Sequence, residues 1–334
     1  MTVITQSFVE EINEVTIASS RNIDGKIYDN LTRRNALFNW MDKKGKIKQL
    51  DGGTVIQKNM RFADGLPPIR YNGYEEYPIR TTENLAAAIY PWLQYVRPVT
   101  MSGREILENS GKERIYNRWA EKIDSSVAEL TNDIAFDMYS DGSEANQIGG
   151  LRLLVADDPT TGVIGGVNAA TNIQWRNISV GATTLLDESN VESYMDQVIS
   201  QLILKGTGGP DVIIADATLY YLLKRRLTNI QRIDTSRVGD LGFTTIEFQG
   251  IPVVYDGGFQ GFENDGTPIG GAPTQHMYFL NTDYLTLEVM RDFVFGPVKM
   301  TPGQDAISMD IFWAGNMTCA GRRFQGVLWQ DTVT

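Results

Sequence analysis

The chain has 334 residues, 42% of them hydrophobic and 21% charged, the make-up of a folded globular protein with a core of its own. A formal net charge of −11 excludes a protein whose main task is to grip a phosphate backbone, which needs Lys and Arg clustered over one face. The single cysteine, Cys319, excludes an internal disulfide, and the single histidine, His276, excludes a His-rich metal site.

Residues 1–50 read as a helix-forming and then loop-forming arm, with Phe8, Ile12, Val15, Ile27 and Leu31 at helical spacing. Glu10, Glu11 and Glu14 interrupt the apolar residues, so the segment is no secretory signal. The longest apolar run, "LAAAIYPWL" at 85–93, is broken by Pro91 and falls far short of the ~20 residues that span a bilayer. The chain therefore reads as a soluble intracellular protein. The arm ends in a basic run, Arg33, Arg34, Lys43, Lys44, Lys46 and Lys48, against one acid, Asp42. Such a run is either a solvated face or an arm laid across an acidic neighbour or polyanionic contents.

From Asp51 to Met101, "TVIQKNMRF" and "YPIRTTENLAAAIYPWLQYVRPVTMS" are rich in β-branched and aromatic residues and flank "ADGLPPIRYNGYEEY". The pattern predicts two long antiparallel strands joined by a tip that carries Leu66, Pro67, Pro68, Ile69, Arg70 and Tyr71. A hairpin of this kind is marginal alone in water and needs a surface to lie on.

Residues 104–140 give the clearest periodicity. Ile115, Trp119, Ile123, Val127, Leu130, Ile134 and Met138 follow at spacings of three or four, one apolar stripe on a helix about 40 Å long from Lys112 to Tyr139. Glu113, Arg114, Arg118, Glu121, Lys122, Asp124 and Asp133 stand opposite, and Gly142 supplies a stop. Core packing explains the stripe without a cofactor.

The stretch "GGLRLLVADDPTTGVIGGVNAATNIQWRN", 149–177, then brings two glycine pairs, Gly149 with Gly150 and Gly165 with Gly166, together with Asn172 and Trp175. It lacks the spacing and the lysine of a phosphate loop. Glycines here permit backbone conformations and close approaches that a side chain would block. A helix over 190–204, a short apolar strand "DVIIA", a second helix "ATLYYLLKRRLTN" and the hairpin "FTTIEFQGIPVVYD" follow, a compact α/β unit. "GTGGP" at 206–210 follows a helix rather than preceding one, and reads as a helix-ending turn, not a phosphate site. From Gln275 onward the chain is mainly strand.

No catalytic constellation emerges. His276 has no neighbouring ligand in sequence and reads as a surface or packed imidazole, and Cys319 as a buried apolar thiol. Carboxylates are numerous enough for a glycosidase-like pair to meet in space, but no local motif marks one. No catalytic, cofactor or metal site is expected.

The order of segments, arm, long hairpin, long helix, glycine-rich segment, α/β unit and returning strands, resembles that of the major capsid proteins of tailed bacteriophages with the Hong Kong 97-type fold. Residues 148–177 are similar to a glycine motif recurrent in one group of them. The resemblance implies an α+β fold with an N-arm at 1–50, an extended loop at 51–101 and a peripheral domain at 102–186 whose spine helix spans 104–140. It further implies an axial domain at 187–270 and return strands of the peripheral domain at 271–334. It implies a non-enzymatic subunit that forms pentamers and hexamers of an icosahedral or prolate shell. The shell would hold double-stranded DNA, contacted weakly, with scaffolding, portal and decoration proteins as partners and no membrane. The expected location is the virion capsid, assembled in the bacterial host cytoplasm. The loop tip would be the intersubunit contact, and the glycine motif, with Trp175 and Asn172, would pin the loop after the spine helix to that helix or to a neighbour. The family's founding member joins subunits through Lys–Asn isopeptide bonds, but here Lys58, near the loop's base, is the only lysine between Asp51 and Met101, so no covalent cross-link is expected. With about fifty residues before the loop, no cleaved N-terminal scaffolding segment is expected either. Two alternatives are an encapsulin-type nanocompartment shell, which has the same fold, and a carboxylate-dependent hydrolase. A tail-tube or neck component fits the long helix less well.

Overall fold

A computed structural model describes residues 36–61, 70–74, 76, 85–108, 112–204, 208–229, 246–256, 260–262, 268–271, 275–300 and 302–330. The expectations for Arg33, Arg34, Leu66, Pro67, Pro68 and Ile69 fall outside these residues, as does the side chain of Ile115.

The first described element, helix α1 (Ala36–Lys43), buries Leu37, Phe38, Trp40 and Met41. Strand β1 (Ile47–Gln49) follows, then the antiparallel ribbon β2 (Val55–Arg61) with β3 (Leu85–Pro91). The ribbon does not continue to Met101 as the strand pattern predicts. After Trp92 the chain starts a separate strand, β4 (Leu93–Ser102), which buries Val99 and Met101 in the main core and so belongs to the body.

Helix α2 (Gly103–Glu108) and the long helix α3 (Lys112–Asp137) stand on either side of residues 109–111, which lie outside the described residues. The apolar stripe faces the core as its spacing dictates. Trp119, Ile123, Val127, Leu130 and Ile134 are buried, as is Met138 just beyond the helix end, while Asp124, Ser125, Glu129 and Asp133 are exposed. The helix lies along β4, to which Arg97 ties it by ion pairs with Glu129 and with Asp133, the latter at 3.1 Å. Tyr95 donates its hydroxyl hydrogen bond to Asp137.

After α4 (Leu151–Leu154) and the two-residue strands β5 (Val163–Ile164) and β6 (Val167–Asn168), the chain enters β7 (Ile178–Ala182). Helix α5 (Val191–Leu204), strand β8 (Val212–Ala215) and helix α6 (Ala217–Asn229) fall where their sequence signals place them. Strands β9 (Ile246–Phe248) and β10 (Ile251–Tyr255) form a hairpin whose two loop residues, Gln249 and Gly250, both have positive φ, as a tight primed turn requires. A small pair, β11 (Gln260–Phe262) with β12 (Pro268–Gly271), precedes β13 (His276–Leu280), β14 (Leu285–Phe295), β15 (Lys299–Met300), β16 (Ala306–Cys319) and β17 (Gly326–Gln330).

Two sheets result. One has the order β1-β14-β16-β15, with β4 also paired along β16 from Leu93 opposite Gly315 to Ser102 opposite Ala306. The other has the order β7-β17-β13-β8-β10-β9. Chain segments far apart in sequence meet in this second sheet, so the strands after residue 270 do not form one unit. β13 and β17 join the α/β sheet, while β14 and β16 join the other.

The second sheet is covered on both faces, which is why β8 and β13 read as continuous apolar runs instead of alternating. Val212 and Ile214 of β8, with Tyr278 and Leu280 of β13, face the core that contains the α3 stripe. Their neighbours Ile213, Ala215, Met277 and Phe279 face a second core under α5 and α6, with Val198, Leu202 and Leu219. One sheet thus joins the long-helix layer to the α5–α6 layer.

The basic run of the arm is dispersed. Lys43 closes the last turn of α1, where a cation complements the helix dipole. Lys44 lies 5.1 Å from the Trp40 ring centroid, Lys46 pairs with Asp283 at 2.7 Å, and Lys48 is exposed. Residues 36–49 therefore pack on their own body. Asp256, buried at the end of β10, accepts from the Leu37 amide at 2.9 Å and from the Tyr139 hydroxyl at 2.5 Å, fastening α1 and the end of the long helix to the second sheet. Burial, with Asp256 beside it, holds the Tyr139 hydroxyl far above its usual pKa, so it stays a donor.

Replacing Ile134 with Ala should lower unfolding free energy by about 2–5 kcal/mol, while Ser125→Ala on the exposed face should change it by less than about 0.5 kcal/mol. Urea denaturation followed by circular dichroism would check both.

Candidate assembly surface

The glycine-rich segment begins by docking on the end of the long helix. A Cβ at Gly150 would stand 2.4 Å from the Asp137 carbonyl oxygen and 2.5 Å from the Ser140 nitrogen, so only glycine fits. This contact lets the Leu151 amide donate to the Met138 carbonyl at 2.7 Å and take up an acceptor that the helix end leaves open. At Gly149 a Cβ would meet only the flexible end of Leu153.

The second glycine pair makes the turn between β5 and β6. Gly165 and Gly166 have φ of +61° and +75°, the left-handed pair of a two-residue hairpin loop. Gly165 also abuts the ribbon: a Cβ there would lie 2.8 Å from Ala88 Cβ, and its carbonyl accepts from the Ile89 amide at 2.9 Å. The segment thus braces the base of the loop.

Trp175 is fully buried and donates from Nε1 to the Ile164 carbonyl at 3.1 Å, holding this hairpin from below. Asn172 acts locally: half-buried, it donates to the Asn168 carbonyl at 3.0 Å and does not reach the long helix.

The residue that fixes the segment is one the sequence reading did not single out, Arg322. Its guanidinium, fully buried, donates to the Leu154 carbonyl at 2.6 Å, the Trp175 carbonyl at 3.3 Å and Asn177 Oδ1 at 3.1 Å, and lies over the Trp175 ring. No carboxylate among the described residues pairs with it. Burial pulls its pKa down from the usual value, the direction expected for a cation taken out of water. The signal in sequence was the pair Arg322–Arg323 set between runs of buried strand residues.

The ribbon carries further ties to the body. Lys58 makes an ion pair with buried Glu288 of β14, and Thr286 Oγ1 donates to the same carboxylate at 3.3 Å. Tyr90 donates to the Cys319 carbonyl at 2.8 Å, and Asn316 Nδ2 to the Pro91 carbonyl at 2.8 Å. Farther out, Arg70 is exposed, Tyr71 is 64% exposed and Tyr74 fully so. Val163 and Ile173 of the glycine-rich segment are also exposed.

His276 is buried, its Nε2 3.2 Å from Asp157 Oδ2 and its ring stacked on Trp329, a packed imidazole as expected. Among the described residues no group of three His, Cys, Asp or Glu could hold a metal, and no helix is long and apolar enough to cross a membrane.

The fold as a whole superposes on solved capsids of bacteriophages. The cyanophage A-1(L) capsid asymmetric unit superposes with a TM-score of 0.63 at 17% identity, covering 85% of this chain and 90% of that one. The mature capsid of bacteriophage PhiM1 gives 0.56 at 9% identity over 87% of each chain. A virus-like particle from Pyrococcus furiosus gives 0.52 at 10% identity, over 92% of this chain and 98% of that one. No protein-family model matches the chain, and no curated protein matches it in sequence. The expected α+β capsid fold is borne out, and the likeness to tailed-phage capsid proteins is a likeness of fold.

Arg322→Ala should cost about 3 kcal/mol or more, since three buried acceptors lose their donor, and Arg322→Lys should recover little because an ammonium cannot fork to all three. Chemical denaturation would measure both variants. Burial pushes the Cys319 thiol from its ordinary 9.0 up to about 11. The neutral thiol is thereby favoured in the folded state: its contribution to stability is fully present below pH 9 and lost as pH rises through about 11. A thiol reagent at pH 8 should leave Cys319 unmodified in the native protein and react once the chain is unfolded.

Proposed function

We propose that this chain is the major capsid protein of a tailed bacteriophage, forming pentamers and hexamers of an icosahedral or prolate shell around double-stranded DNA. The observation that carries the reading is the match over most of both chains: 85% of this chain covers 90% of the cyanophage capsid subunit. In this reading the long helix is the spine of the peripheral domain. The α5–α6 layer with β8–β10 is the axial domain at the capsomer centre, and the loop that begins at β2 and ends at β3 reaches over the neighbouring subunit. A contact of arm on body, the same in every copy, is heterologous and closes into rings and shells.

The net charge of −11 suits a container wall that contacts DNA weakly, since a surface with high phosphate affinity would hold back a polynucleotide during packaging. Scaffolding, portal and decoration proteins are the partners of this reading, and the host cytoplasm the place of assembly. The virus-like particle among the structural neighbours favours a second reading, a protein-filled nanocompartment. Encapsidated nucleic acid separates the two.

Negative-stain electron microscopy of the purified chain, alone and co-expressed with its neighbouring gene products, should give closed shells or five- and six-membered rings. Authentic particles should yield nuclease-protected double-stranded DNA. A stable monomer under every condition would overturn the shell reading, and shells that hold protein without DNA would shift it to the nanocompartment.

A further inference from the structure

A cavity of about 340 Å³ opens beside the base of the ribbon, between β2, the end of the glycine-rich segment and the turn before β17. Small-molecule sites typically enclose about 300–1,000 Å³, so its size suits a compact ligand. Its chemistry is at odds with the rest of the chain. Arg61 and Arg323 line it, with no carboxylate among the described residues around it, in a protein whose net charge is −11. Neither arginine joins an ion pair among the described residues. Arg323 donates from Nη1 to Gln174 Oε1 at 2.6 Å, while its Nε is buried without a hydrogen-bond partner. A buried donor without an acceptor is costly, and an anion in the cavity would supply one. Two aromatic rings form a second recognition surface. Tyr284 and Phe324 line the cavity half-buried, with ring centroids 4.5 Å apart. Gly321 permits the pair, since a Cβ there would stand 2.8 Å from an atom of each ring.

We propose that this cavity binds a nucleoside monophosphate, with the phosphate between Arg61 and Arg323 and the base against the Tyr284–Phe324 pair. Two guanidinium groups match a phosphate monoester, which carries a charge of about −1.5 to −2 at neutral pH, whereas a carboxylate would balance only one of them. A base brings a flat face that stacks on aromatic side chains. Inorganic phosphate alone would leave the rings unused, and an uncharged nucleoside would leave the arginines unmatched. All of these groups come from one subunit, so the site goes beyond the shell reading and does not depend on assembly. A free mononucleotide and the phosphorylated end of a nucleic-acid strand present the same chemistry to it.

The test is equilibrium dialysis of the purified chain against deoxyadenosine monophosphate, with deoxyadenosine and inorganic phosphate as its two halves. The expected result is one saturable site per chain for the nucleotide, and an affinity lower by about tenfold or more for each half. An oligonucleotide with a terminal phosphate separates the two sources: tighter binding than the mononucleotide assigns the site to a strand end, and equal or weaker binding assigns it to the free nucleotide. Arg61→Gln, at an exposed position, should weaken nucleotide binding by about tenfold or more while leaving the circular dichroism unchanged, and Arg323→Gln should do the same. No binding at millimolar nucleotide, or an affinity unchanged in either variant, would overturn the proposal. Equal affinity for the nucleotide and for inorganic phosphate would overturn it as well, because the base would then make no contact with the aromatic pair. None of these outcomes bears on whether the chain forms shells.

Discussion

A guanidinium removed from water without a carboxylate beside it is tolerated only where its donors meet well-placed acceptors, and Arg322 meets that condition in the middle of this fold. Its hydrogen bonds go to the Leu154 carbonyl, the Trp175 carbonyl and the Asn177 side chain, so a residue near the C-terminus fixes both ends of the glycine-rich segment at once. Trp175 passes that constraint to Ile164, and the Gly165 turn passes it to Ile89 in the ribbon. The position of the loop base is therefore set by a chain of buried polar contacts that starts far from it in sequence. Each link occupies an acceptor or donor that would otherwise be buried unsatisfied, which makes the arrangement stiff as well as stable.

The double-faced second sheet supplies the other constraint. Because β8 and β13 send alternate residues into two cores, a one-residue slip in register would exchange Ile213 for Ile214 and Phe279 for Tyr278 between them. Both cores accept apolar side chains, so alternation alone would not forbid the slip. The polar ends settle the register. Thr282 donates from its backbone amide, at 2.9 Å, and from its hydroxyl to the Asp211 carboxylate at one end of the β8–β13 pair, and Asp216 accepts from the Gln275 amide at 3.0 Å at the other.

What was legible in sequence followed from local physics. The stripe on the long helix could be read because 3.6-residue periodicity runs unbroken from Trp119 to Met138, and α6 because its helical pattern follows directly on an apolar strand. The Gly165–Gly166 turn was legible as a place that needs glycine, but the approach to Ala88 was not, since nothing local signals a neighbour 77 positions away. The end of the ribbon at Trp92 was misread because β-type residues continue across it, and only the pairing of β4 with β16 separates the two strands. Membership of β13 and β17 in the α/β sheet depends on pairings across more than a hundred residues, for β17 with β7. Arg322 escaped notice for a chemical reason: arginine is usually exposed, and its burial here is decided by carbonyls that the fold brings to it.

The same contacts bear on how cheaply subunits could associate. A two-stranded ribbon alone in water is marginal and samples many directions. Here its first seven residue pairs are held by the Lys58–Glu288 ion pair, by the Tyr90 and Asn316 hydrogen bonds and by the Gly165 turn, on both strands and from two different parts of the body. The ion pair is well suited to this task. Removing either partner would leave a largely buried charge uncompensated, so its geometry is enforced more strongly than an apolar contact of equal area. Lys58, the one lysine of the loop region, is thereby committed to holding the ribbon on its own subunit. A projection whose direction is fixed before contact loses less conformational freedom when it docks, and that saving recurs at each equivalent contact of a closed assembly. In the proposed shell, the buried polar links that appear costly within one subunit would thus lower the entropic barrier between subunits.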